Sequence, residues 1–187
     1  MNLANLQINV YFILFITVFT VRNLLELRII PKVKSRGKGE ISLLMFAILF
    51  FAAGISVGYY LLIATSVNIL LFISGLIIFV SFHTARLVCV KKMGQSYSQL
   101  ITPGKEATLI TSGIFSIIRH PLYFFYVFEL TGLLLIKFNL IAMVAVVMDI
   151  IITLLRIRHE ERLLIEKYGN AYITYREKTW KLIPYLC

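Results

Sequence analysis

Long apolar runs alternate with short polar ones along this chain. The first run extends from about Ile8 to Leu25, the second from Ile41 to about Ile63, and the third from Ile69 to about Val90. After a polar stretch from Lys91 to His120, a fourth run begins at Pro121 and ends near Ile136, and a fifth covers Phe138 to Leu155. A helix crossing hydrocarbon needs about 20 apolar residues. The runs therefore predict a transmembrane helix each, the fourth short enough to be tilted or set inside a bundle. Only Lys137, Phe138 and Asn139 separate the last two, which predicts a tight antiparallel hairpin. The fold class is all-α: a single polytopic membrane domain over residues 1–187, with about five spans at 8–25, 41–63, 69–90, 121–136 and 138–155. Residues 91–120 and 156–187 are then cytoplasmic.

Beyond Leu155 the pattern changes. Leu163, Leu164 and Tyr168 recur at helical spacing among Glu160, Glu161, Arg162, Glu166 and Lys167, so the fifth helix should continue into the cytoplasm until Gly169-Asn170 ends it. Residues 171–178 suit another short helix, and Trp180, Leu182, Ile183, Pro184 and Tyr185 suit an interfacial anchor.

Composition agrees with burial in lipid: 59% of the residues are hydrophobic and the mean hydropathy is +0.87. The formal charge of +10 raises the question of nucleic acid. The basic residues, however, lie between and after the apolar runs, as the positive-inside bias and attraction to anionic lipid require. They form three groups: Arg28 to Lys38, Lys91 to Arg119, and the tail from Arg156. All three share one side if there are five spans, so the N-terminus is expected outside and the C-terminus in the cytoplasm. Membrane lipids, not nucleic acid, are the expected surroundings. Two cysteines, Cys89 and Cys187, are too few for a disulfide framework or a cysteine zinc site. Residues 8–25 read as a permanent span and not a cleaved leader.

No GxGxxG, P-loop, HExxH or CxxC is present. The GxxxG at Gly54–Gly58 suits close approach of two helices. What remains is polar residues gathered at one membrane face. In "TLITSGIFSIIRHPLYFFYVFE", Arg119 and His120 precede Pro121, which can open the fourth helix at its first position. A helix N-terminus there would favour an anionic group, but from the dipeptide alone the favoured reading is that Arg119 and His120 merely sit in the headgroup layer. In "RIRHEERLLIEKYGNAYITYREK", Arg156 and Glu160 share a helix face, with Glu161 beside them. Alone, that pair reads as a surface ion pair worth less than about 1 kcal/mol.

Together, "SGIFSIIRHPLY" and, some forty residues later, "RIRHEERLLIEKYGNAYITYREK" with a Pro-containing end resemble the isoprenylcysteine carboxyl methyltransferase family. Phosphatidylethanolamine N-methyltransferases share its C-terminal design. The resemblance is close over about Thr108–Pro184 and looser upstream, through Arg86 and "MGQSYS". It implies a membrane-embedded methyltransferase using S-adenosyl-L-methionine without a Rossmann domain. It also implies cofactor contacts at Ala107, Thr108, Leu109 and Ile110, at His120, Pro121, Leu122 and Tyr123, and at Glu160. Phe115 stands where a cofactor-contacting tyrosine is common, so stacking would remain without the hydroxyl. Ala107 replaces a histidine found in some relatives. Arg156 matches a position associated with the substrate.

These residue types suit the chemistry. Methyl transfer is an in-line displacement that needs neither metal nor covalent enzyme intermediate, so catalysis is positioning and exclusion of water. Arg156 could hold a carboxylate nucleophile bidentately, with His120 and backbone N–H groups on the cofactor carboxylate and Glu160 accepting from its ammonium or ribose. The favoured acceptor is an isoprenylcysteine-like carboxylate; a phospholipid amine or a hydroxyl of another lipid is the alternative. A non-catalytic transporter or scaffold is the alternative of another class. Glu129 and Asp149 lie within the apolar runs, where ionisable groups default to a functional hypothesis. Their comparable depth predicts that they face each other, as a structural pair with one of them protonated or bonded to His83 or Arg86, or as part of a substrate slot.

Overall fold

A computed structural model describes residues 3–29, 40–94 and 108–185. The basic residues of the first predicted loop from Lys32 to Lys38, Lys105 of the second, and Ala107 all lie outside them. Six α-helices follow in order among the described residues: α1 (Leu3–Ile29), α2 (Glu40–Leu62), α3 (Ile69–Met93), α4 (Pro121–Ile136), α5 (Leu140–Tyr168) and α6 (Asn170–Glu177). Four are long and apolar enough to cross a membrane, at Val10–Arg28, Leu44–Leu62, Ile69–Met93 and Leu140–Tyr168, and α4 is a shorter apolar helix. Large apolar side chains point outward along them, among them Leu27, Ile55, Leu70 and Leu140. Water would not tolerate such a surface, but lipid covers it. This is the architecture of a multi-pass membrane protein.

Local chemistry sets the helix ends. The Asn68 side chain accepts from Leu70 N and Leu71 N at 3.1 and 3.2 Å, starting α3. Asn139 does the same for α5, accepting from Ala142 N at 2.9 Å. Pro121 opens α4 at its first turn, where a missing N–H costs nothing. Gly169 ends α5 at φ 55°, its N–H donating to Ile165 O at 2.8 Å.

Helices α1 to α5 alternate in direction. Tyr11 meets Phe72, and Phe19, Phe50 and Phe79 stack into an aromatic core joining α1, α2 and α3. The GxxxG glycines of α2 receive aromatic rings of α1, Phe19 against Gly54 and Phe15 against Gly58. The closest backbone approach lies elsewhere. A Cβ on Gly75 would stand 2.6 Å from Ile136 N, and one on Gly132 2.6 Å from Phe79 N. Gly75 and Gly132 therefore let α3 and α4 touch along their length. The three-residue turn between α4 and α5 is as short as expected, but α4 packs chiefly on α3 and α5 chiefly on α2. The α4–α5 junction is held mainly by side chains. Gly132→Ala should cost about 1–3 kcal/mol, because the facing atoms are backbone and cannot turn aside. A lowered thermal midpoint in detergent would show it; an unchanged midpoint would mean the two helices separate freely.

Charged groups bind α1, α3 and α4 deep in the bundle. Glu129 of α4 accepts from Arg22 Nε at 2.7 Å, and His83 Nδ1 and Arg86 Nε lie 3.2 and 3.3 Å from its carboxylate. Arg86 also grips Glu26 with two hydrogen bonds of 3.1 and 2.8 Å, and Arg22 pairs with Glu26 one turn along α1. The Arg22 guanidinium lies 4.0 Å over the Phe50 ring. Two arginines and two glutamates thus cancel inside the bundle. Asp149 does not join them: its partner is the Tyr126 hydroxyl, at 3.0 Å. The expected facing of the two acids is thereby corrected, since each has turned to a different helix neighbour.

Candidate functional site

The α4 N-terminus, the far half of α5 and the tail after α6 meet at one end of the bundle. The chain enters as an irregular stretch in which Thr108 is exposed and Leu109 and Ile110 are half-buried. Gly113 takes φ 65°, a conformation glycine adopts without strain, and a 3-10 turn over Gly113–Ser116 follows. Phe115 is buried, and its carbonyl accepts from Tyr175 Oη of α6 at 2.6 Å. Burial pushes the Tyr175 hydroxyl up to about 12 against the pull of Arg119, so it stays a neutral donor.

Residues 117–120 then pair with the tail in parallel. Trp180 N donates to Ile117 O at 2.9 Å, Arg119 N to Trp180 O at 2.8 Å, and His120 N to Lys181 O at 3.2 Å. The Arg119 side chain finishes the clamp. Its Nε donates to Glu161 Oε1 at 3.0 Å, and its Nη1 to Arg176 O at 2.8 Å and to Thr179 O. Arg119 is therefore a cross-link between the motif and the tail, not a headgroup ligand. Trp180 is part of the same clamp and Leu182 is buried.

Held this way, His120 is the residue just before α4 and makes no side-chain cap of its own. The first-turn N–H groups of a 16-residue helix are thus directed at the site end with a partial positive charge. The His120 ring is buried. Its Nε2 stands 3.5 Å from Glu161 Oε1 without a hydrogen bond, and its Nδ1 3.9 Å from Glu160 Oε2.

One turn into α4, the Tyr123 hydroxyl accepts from Arg156 Nε at 2.8 Å and donates to Glu160 Oε2 at 3.0 Å. A single phenol thus joins the cation and the carboxylate that α5 places one turn apart. The Arg156 guanidinium lies 5.7 Å from the Phe46 ring of α2, which meets Tyr126 edge-on at 5.7 Å. Arg156 is buried and Glu160 partly open.

Of the residues singled out from sequence, His120, Tyr123, Arg156 and Glu160 converge here, with Pro121 and Leu122 on the same first turn and Phe115 just upstream. Sequence reasoning undervalued Glu161. It lies about 100° around the helix from Glu160, and that rotation aims it at Arg119 and Lys181, whose Nζ is 3.8 Å away. The burial of Tyr172 and Tyr175, spaced three apart on α6, was a legible signal, since such spacing puts two aromatic rings on one face.

Residues 75–166 match the isoprenylcysteine carboxyl methyltransferase (ICMT) family. The chain is also 29% identical over 120 residues to the protein-S-isoprenylcysteine O-methyltransferase of Saccharomyces cerevisiae, an alignment covering 60% of this chain and 48% of that protein. The chain therefore spans about half the length of the curated relative it matches.

Proposed function

We propose, from the match of residues 75–166 to the isoprenylcysteine carboxyl methyltransferase family, that this protein is a membrane methyltransferase that uses S-adenosyl-L-methionine to esterify the carboxylate of an isoprenylcysteine-like lipophile. The observation that carries the reading is the Arg156–Tyr123–Glu160 bridge beside His120. It gathers a cation for an anionic nucleophile and an acceptor for a cationic or hydroxylated ligand within one turn of two helices.

The residues present fit that cofactor. His120 Nε2 is buried with no hydrogen bond, and the first-turn amides of α4 are directed at the same place. These donors suit the amino-acid carboxylate, Glu160 suits the ammonium or ribose, and Phe115, Leu109 and Ile110 suit the apolar faces. When bound, S-adenosylmethionine supplies an electrophilic methyl group on a sulfonium. The chain's own groups do the rest. Arg156 holds the acceptor carboxylate, Tyr123 fixes the guanidinium plane through Nε, and Phe46 keeps water from its face. An amine acceptor would meet the fixed charge of Arg156 as a repulsion, which favours a carboxylate.

Purified protein with methyl-labelled S-adenosylmethionine and N-acetyl-S-farnesylcysteine should yield a base-labile labelled ester. Label found only in phospholipid would overturn the acceptor assignment. His120→Ala and Glu160→Ala should each weaken cofactor binding by about 1–3 kcal/mol, the worth of a hydrogen bond involving a charged group. Equilibrium binding in detergent measures this, and unchanged affinity in both folded variants removes the site.

The three basic runs of the sequence support a reading in which the N-terminus is outside and the C-terminus and site are cytoplasmic. Cysteine labelling of residues 28–40 and of the tail should report the same side. Labelling from opposite sides refutes the five-span topology.

A further inference from the structure

The stripe that carries Arg156 and Glu160 does not end at the site. On α5, Asp149, Thr153, Arg156 and Glu160 follow at intervals of four, three and four, a single face of an α-helix. Tyr123 and Tyr126 of α4 face it one turn apart, Tyr126 donating to Asp149 Oδ2 at 3.0 Å. The stripe lies along the α4–α5 junction, which these hydrogen bonds hold.

Its deep half is unsatisfied. Asp149 and Thr153 are both 0% exposed, yet Asp149 Oδ1 and Thr153 Oγ1 have no hydrogen-bond partner among the described residues. Three other helix threonines behave differently. Thr17, Thr84 and Thr131 donate to the carbonyls of Ile13, Val80 and Val127 at 2.8, 2.8 and 3.0 Å. Thr153 forgoes that bond, so its proton is directed elsewhere. Unpaired polar atoms are costly in a bilayer, and these two stand one turn apart on one face. A carboxylate oxygen accepts, and a threonine hydroxyl donates. An alcohol satisfies both at once, giving its proton to Asp149 Oδ1 and receiving one from Thr153 Oγ1. A protonated amine would leave the threonine proton unused, and an alkyl chain would leave both atoms unpaired.

We propose, on the carboxyl-methyltransferase reading above, that the acceptor's lipophilic tail carries an alcohol held by Asp149 and Thr153. From the helical rise, this hydroxyl sits roughly 5–10 Å deeper than the carboxylate on Arg156. The natural acceptor is then a hydroxylated lipophile, with Asp149 and Thr153 determining specificity.

The test compares N-acetyl-S-farnesylcysteine with its analogue hydroxylated on the fourth carbon of the prenyl chain. Both are measured with the full chain in lipid nanodiscs, for dissociation constant without methyl donor and for kcat/KM with it. The hydroxylated probe should bind about 10–100-fold tighter, as expected for a hydrogen bond to a charged group. Thr153→Val should reduce that preference to near unity, and Thr153→Ser, which keeps the hydroxyl, should retain it. Equal binding of the two probes overturns the proposal, as does a preference that survives both Thr153→Val and Asp149→Leu. Methylation of the plain probe without discrimination sinks the alcohol site alone. Discrimination in binding without methylation of either probe sinks the carboxyl-methyltransferase reading and leaves the alcohol site standing.

Discussion

Arg156→Lys lowers kcat/KM for a carboxylate acceptor by about 100-fold, or about 2.7 kcal/mol of transition-state stabilisation, while affinity for S-adenosylmethionine stays within about twofold. The geometry explains the split. Arg156 spends Nε on the Tyr123 hydroxyl at 2.8 Å, which orients the plane of the guanidinium. A guanidinium held in plane presents paired donors, the geometry a carboxylate meets in the bidentate manner. Lysine keeps the charge but has no second arm, so it either abandons Tyr123 or holds the nucleophile by one contact. Glu160 still receives the Tyr123 proton, so the cofactor side of the bridge survives. Affinity and turnover measured on one sample of the variant decide the matter. Parallel loss of both would show that Arg156 supports the cofactor and holds no acceptor.

Glu129→Gln destabilises the protein by about 3–5 kcal/mol, the usual cost of removing one partner from a buried charge network. Glu129 is wholly buried between Arg22, His83 and Arg86. Without its charge, two arginines face only Glu26, and one positive charge is left uncompensated in a region of low polarity. The deficit can be repaired at the other side of the pair. Arg22→Gln with Glu129→Gln restores neutrality and should recover most of the lost thermal midpoint in detergent. If Glu129→Gln instead keeps full stability and abolishes turnover, the residue belongs to the substrate path and the cluster is not a structural staple.

The sequence, read alone, captured what depends on local pattern. The apolar runs dictate helices because backbone groups in lipid must be bonded internally, and a single run of about 20 residues does this on its own only as a helix. Pro121 and Gly169 set helix ends through a missing N–H and a permissive φ, so those boundaries were legible, whereas the Asn68 and Asn139 side-chain caps were not read from the sequence. The convergence of His120, Tyr123, Arg156 and Glu160 was legible only through resemblance, because a motif near residue 120 and one near residue 158 have no local reason to meet.

Tertiary structure decided the partners. GxxxG spacing pointed to Gly54 and Gly58, but backbone contact falls at Gly75 and Gly132, which lie on different helices and form no motif along the chain. Glu129 and Asp149 have similar depth, yet rotation about each helix axis sends one to the arginines of α1 and α3 and the other to Tyr126. Arg119 reads as a residue of the headgroup layer until the tail folds back and presents the carbonyls of Arg176 and Thr179. Hydrophobic periodicity determines which residues leave water. Which buried polar group meets which is settled only when helices pack, because hydrogen bonds and ion pairs act over a few ångströms between residues tens of positions apart.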